Sequence, residues 1–122
     1  MAAEAVYRAA TEQARAAAAR LHDALASLDE QYAWVLEAID AGERSEDIVV
    51  AAVERGSIER RREVSDLLRE FDHAAREMRS IAMWLLLERT DMTVAGMSRR
   101  SGVSQELVRR LYRRGAELVG DA

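Results

Sequence analysis

TVAGMSRRSGVSQELVRRLYRR, residues 93–114, decides how this chain is read. Residues 94–100 have the composition of a short helix, with Thr93 placed to cap it. Gly102 takes a left-handed turn at low steric cost. Ser104 is placed to cap a second, arginine-rich helix that runs to about Val119, with an end or kink expected at Gly115. If Val108 and Leu111 face a core, then Gln105, Glu106, Arg109, Arg110 and Arg113 fall on the outer face of that second helix.

Upstream, residues 58–89 have the pattern of a long helix. Val64, Phe71, Met78 and Leu85 repeat at seven residues, Leu68, Ala75 and Ala82 follow four behind, and Leu67, Ala74 and Ile81 broaden the stripe. Residues 81–87, IAMWLLL, are apolar nearly all round, so the two helices that follow should enclose them. These three segments together make a three-helix unit. Gly56-Ser57 marks a break, or a glycine tolerated in one longer helix, with Ser57 a possible cap. Before it, residues 47–55 form a short helix with Ile48, Val49, Ala52 and Val53 on one face. Residues 40–45 form a connector in which Gly42 ends one helix and Ser45 caps the next.

Residues 2–41 carry one uninterrupted helical pattern. Tyr7, Ala14, Leu21, Leu28 and Val35 recur every seven residues, and Thr11, Ala18, Leu25, Tyr32 and Ile39 lie four further on, the spacing of a coiled-coil seam. Such a helix is about 60 Å long at 1.5 Å per residue, against a radius of gyration of about 14 Å for a globule of this size. It outruns what its own chain can cover. A second copy is the simplest cover, with Leu21, Leu25, Leu28, Tyr32, Val35 and Ile39 at the interface; the alternative is a helix that breaks near Asp23. The expected division is a dimerisation region over residues 1–73 and a C-terminal unit over 74–122, sharing the helix 58–89.

The 122 residues include no Pro and no Cys, and good helix formers dominate, so the fold class is all-α, without disulfides, thiol nucleophile or zinc knuckle. The longest apolar run is far short of the roughly 20 residues a membrane span needs, and residues 1–20 do not read as a signal peptide. A cytoplasmic protein without membrane partners is expected. Glu70-Phe-Asp-His73 matches one Glu-x-x-His element, but metal sites of that kind need a second, and His22 has Ala19 three residues before it. No nucleophile–base constellation and no glycine-rich phosphate loop stands out, so neither an enzyme nor a cofactor is expected. Trp34 and Trp84 sit among apolar residues at helical spacing and read as packing residues.

Charge is distributed unevenly. Residues 1–90 hold 12 Arg and 18 acidic residues, a net of −6; residues 91–122 hold 6 Arg and 4 acidic residues, a net of +2. Between Met97 and Arg114 six Arg stand against Glu106 alone. A basic patch on an acidic body orients one end of a protein towards phosphates. All basic residues are Arg, a bias that suits phosphate contacts and equally follows from genomic base composition.

With Met97, Gly102, Val103, Val108 and Leu111 at its apolar and turn positions, the stretch resembles the generic helix-turn-helix of phage repressors, resolvase C-terminal domains and sigma-factor region 4. It departs from them at Ser98, usually Ala, and Ser101, usually a larger apolar residue. The resemblance implies a dimeric, sequence-specific binder of double-stranded DNA, a transcriptional regulator with the second helix in the major groove and half-sites about 34 Å apart. Gln105, Glu106 and Arg109 would then read base edges. Arg110 shares that outer face. Arg99, Arg100, Arg113, Arg114 and the N–H groups at Ser104 would hold phosphates. A ligand or protein effector stays unidentified. The competing expectation is a helical coiled-coil adaptor that binds another protein and no DNA.

Overall fold

The computed structural model describes residues 2–120. Among them there are five helices and no strand: α1 (Ala2–Asp40), α2 (Ser45–Glu54), α3 (Ser57–Arg89), α4 (Val94–Ser101) and α5 (Gln105–Gly120). The chain is all-α, and no helix among the described residues is long and apolar enough to cross a membrane. Met1, Asp121 and Ala122, which belong to the two expected regions, lie outside the described residues.

The helix ends follow local chemistry. α1 runs unbroken past Asp23 and closes on Gly42, whose N–H donates to the Ile39 carbonyl at 3.0 Å while Glu43 N–H donates to Ala38 at 3.1 Å. This crossed pair satisfies two of the carbonyls a helix end leaves open. The expected cap at Ser45 does not form. Ser45 is already the first helical residue, and Arg44 holds the cap position with no side-chain cap bond. Glu46 and Asp47 in the first turn complement the helix dipole instead. Gly56, at φ +88°, makes a true break, and Ser57 opens α3 as a buried helical residue.

The chain forms two compact units. One comprises Ala16–Phe71; the other joins Met1–Arg15 to Asp72–Ala122. The first turns of α1 group with the C-terminal segment. In the unit Ala16–Phe71, α1 and α3 run antiparallel, with Arg20 3.4 Å from Glu70 and the Arg60 Nε donating to Ser27 at 3.3 Å. Gln31 is buried and donates to the Ala52 carbonyl of α2 at 3.4 Å, while the Arg55 guanidinium lies 4.2 Å from the centre of the Trp34 ring.

The inward face of α1 differs from the expected seam. One row holds from Ala14 onward: Ala14 and Leu28 are buried and Leu21 and Val35 half-buried, while its first member, Tyr7, is exposed. The second row is Ala10, Ala17, Ala24, Gln31 and Ala38, one residue before the row expected at Thr11, Ala18, Leu25, Tyr32 and Ile39. Of the residues expected to meet a second copy, Leu28 is therefore covered by its own chain. Leu25, Tyr32 and Ile39 face outward at 47%, 52% and 53% exposure. Alanine dominates the inner rows, with Leu21, Leu28 and Val35 as their larger members. Likewise Leu68 is exposed on α3, whereas Ile81 of the 67/74/81 row is buried.

In the other unit, residues 81–87 are all buried or half-buried, as their all-round apolar character requires. Ala3, Ala10 and Ala14 of α1 are buried there too, and Arg89 pairs with Glu4. Helix α5 crosses α3 at Gly115 and continues past it to Gly120. A Cβ at Gly115 would overlap the Ser80 carbonyl and lie 2.8 Å from Cβ of Trp84. Ser80 is fully buried, its hydroxyl donating to the Arg76 carbonyl at 2.9 Å.

The Gly115→Ala variant separates propensity from packing. Alanine favours a helix by about 1 kcal/mol over glycine, whereas overpacking against backbone costs about 3 kcal/mol, so a net loss is expected in urea unfolding. A gain in stability would show that α5 does not meet α3 at this point.

Candidate nucleic-acid interface

Helices α4 and α5 pack on each other across a three-residue turn, and side-chain oxygens organise both starts. Thr93 Oγ1 accepts from Gly96 N–H at 3.0 Å, and Ser104 Oγ accepts from Leu107 N–H at 3.1 Å. Each satisfies one of the donors left open in a first helical turn. Gly102 takes φ +76°. The two serines that depart from the expected apolar pattern are engaged. Ser98 donates to the Val103 carbonyl at 2.6 Å across the turn. Ser101 donates to the Met97 carbonyl at 2.7 Å. Hydroxyls thus tie down a turn that larger apolar groups would otherwise pack.

Val108 is completely buried and Leu111 half-buried, which turns Gln105, Glu106, Arg109, Arg110, Arg113 and Arg114 outward. Arg99 and Arg100, in the last turn of α4, are exposed as well. Tyr112 flanks the core side and donates to Glu88 of α3, and that hydrogen bond raises the phenol pKa.

The six arginines separate by partner. Arg114 is fully engaged: its Nε and Nη2 donate to the two oxygens of Glu77 at 3.0 and 2.7 Å, and its Nη1 to Glu117 at 3.0 Å. Its expected place among the phosphate contacts is therefore taken by an α3–α5 clamp. Glu77, with 18% of its side chain exposed, has its pKa lowered first by these bonds and then by the nearby charge. Arg110 lies 3.6 Å from Glu106, an ion pair without hydrogen-bond contact. Arg109 donates to Gln105 at 3.2 Å. Among the described residues, Arg99, Arg100, Arg109 and Arg113 meet no carboxylate.

Elsewhere, Glu70 is taken by Arg20, and His73 lies 3.8 Å from Glu77. Among the described residues no group of three His, Asp or Glu converges on a point that would hold a metal ion. Two features escaped sequence reasoning: Ser80 opposite Gly115, and Glu77 as the partner of Arg114. Their separation along the chain, more than thirty residues in each case, leaves no local signal. Comparison with protein-family models, curated proteins and solved structures finds no match for this chain.

Because its folded pKa lies below the ordinary carboxylate value, Glu77 contributes stability that is present above the unfolded pKa. That contribution is lost as pH falls through the folded value. The Glu77→Gln variant should be less stable than the parent at pH 7, and the difference should close as acid protonates the parent's carboxylate. Thermal unfolding of the two proteins across that range checks this; a constant difference would place the stabilisation elsewhere.

Proposed function

We propose that this protein is a dimeric, sequence-specific DNA-binding regulator that places α5 in the major groove. The observation that carries the reading is the turn between α4 and α5. It presents four exposed arginines that meet no carboxylate among the described residues, Arg99, Arg100, Arg109 and Arg113, around one short pair of helices joined by a turn. Arginine forks fit guanine edges and phosphate oxygens, and the first turns of such a helix reach bases. Gln105 and Arg109 are the base-reading pair in this account. Arg99, Arg100 and Arg113 hold the backbone. Arg110 joins them by exchanging its loose pair with Glu106 for a phosphate.

Dimerisation in this account uses the outer face of the unit Ala16–Phe71. Leu25, Tyr32, Leu36 and Ile39 of α1 and Val49, Val50 and Val53 of α2 each leave 46–62% of their surface exposed. Clustered large apolar side chains in water mark an interaction surface. A second copy supplies the same residues and fits the two-fold symmetry of DNA operators.

Two measurements test these halves separately. Selection from a genomic fragment pool should enrich a preferred sequence. Arg109→Ala should weaken binding to it by about 1–3 kcal/mol, while Arg113→Gln should lower the salt slope by about 1. Enrichment unchanged by both substitutions would eliminate this recognition surface. For the dimer, the exposed position of Leu36 makes Leu36→Glu harmless to the monomer fold, so sedimentation should show half the parental mass. A parent that sediments as one chain would refute the pairing.

A further inference from the structure

We propose that the cleft between α3 and α5 binds a small organic anion with an apolar body, of the aromatic carboxylate class. The cleft encloses about 680 Å³, within the range of about 300–1,000 Å³ typical of small-molecule sites. Its apolar surface comes from Leu107 and Leu111, both half-buried on the flank of α5. Below them Ser80 offers no free donor, since its hydroxyl is bonded to the Arg76 carbonyl.

The charge around the cleft is lopsided. Arg76, Arg79, Arg110 and Arg114 line it together with His73, against the single carboxylate of Glu77. Arg114 already holds both oxygens of that carboxylate. Arg76 is paired with Asp72 at 2.8 Å. Arg110 is only loosely paired with Glu106, and Arg79 donates through Nε to the Ala75 carbonyl at 3.3 Å and pairs with no acid among the described residues. Two guanidinium groups, one from each helix, thus keep unused donors in a cleft that two leucines also line. A carboxylate accepts from such donors in a planar, charge-assisted geometry, and an aromatic ring covers the two leucines. A bare phosphate satisfies the arginines and leaves the leucines in water. A cation meets the wrong sign of charge.

The site stands on the α3–α5 geometry alone; only its consequence for DNA rests on the proposed function. Leu107 and Arg110 share α5 with Arg109 and Arg113, so a ligand that braces one flank of this helix couples to the other, and the coupling is reciprocal.

The test is calorimetric titration of the full chain, without DNA, with naphthoate, uncharged naphthamide and inorganic phosphate. Naphthoate should saturate one site per chain and bind about tenfold more tightly than either control. Arg79→Gln, at an exposed position, should weaken naphthoate by about tenfold. Arg99→Gln, on α4 and outside the cleft, should not; circular dichroism checks that both variants fold. Absence of saturable binding, equal affinity for the amide or for phosphate, or an equal loss in Arg99→Gln would each overturn the proposal. Because no DNA is present, failure here leaves the DNA-binding test untouched.

Discussion

Packed helices usually lie about 8–10 Å apart, because the side chains at the crossing hold them there. At Ser80 and Gly115 that spacer is missing. The absent Cβ lets the backbone of α5 settle on the Ser80 carbonyl, and the neighbouring Trp84 side chain closes one edge. The contact fixes distance and, more consequentially, rotation. With Gly115 turned inward, residues four and seven positions earlier, Leu111 and Val108, turn inward as well. Glu106, Arg109 and Arg113 are then driven to the opposite side, and Arg110 and Arg114 to the flank facing α3. A single glycine therefore decides which arginines of α5 are free, which are clamped, and which border a cleft.

A related economy of side-chain size governs α1. Its inner rows carry Ala10, Ala14, Ala17, Ala24 and Ala38, with Leu21, Leu28 and Val35 as the larger members. Alanine costs no side-chain entropy on burial and permits close approach, but it removes little apolar area from water. Leu25, Tyr32, Leu36 and Ile39 stand outside. Burying one large apolar side chain is worth about 1.5–3 kcal/mol, so a helix that leaves four of them exposed keeps most of that energy in reserve. The reserve is available to whatever covers the face. An inner face that is mostly alanine cannot by itself account for the choice of so many large apolar residues.

These two cases mark where sequence reasoning succeeded and where it failed. Ends governed by a few adjacent residues were legible: Gly42, Gly102, Thr93 and Ser104 each act within three or four residues, and each terminates or caps as its chemistry demands. So was the enclosure of residues 81–87, because a segment apolar all round has no face to give to water. The register of α1 was half legible. Periodicity weighted by size selects Leu25, Tyr32 and Ile39, whereas the chain buries the smaller row one residue earlier, a choice made by a partner helix that periodicity does not contain. Ser45 misled for a different reason: it lies one residue inside the helix, a shift within the usual uncertainty of helix ends. Arg114 and Gly115 were out of reach, since their meaning lies in Glu77 and Ser80.

The division of the arginines follows from the same geometry once strengths are compared. Arg110 and Glu106 are both largely exposed and 3.6 Å apart, and a pair of that kind contributes at most about 1 kcal/mol. Giving up that pair for another anion would cost Arg110 no more than this. Arg114 is held differently. Glu77 is mostly shielded from water and has both oxygens bonded to the guanidinium. Withdrawing Arg114 would leave a desolvated carboxylate without its counter-ion, a loss that an exposed contact elsewhere does not offset. Two arginines one helical turn apart are thus unlike in availability. The difference comes from the burial of an acid on another helix rather than from any property of the arginines themselves. On this ground Arg110 belongs to the exchangeable surface of α5 and Arg114 to its scaffold.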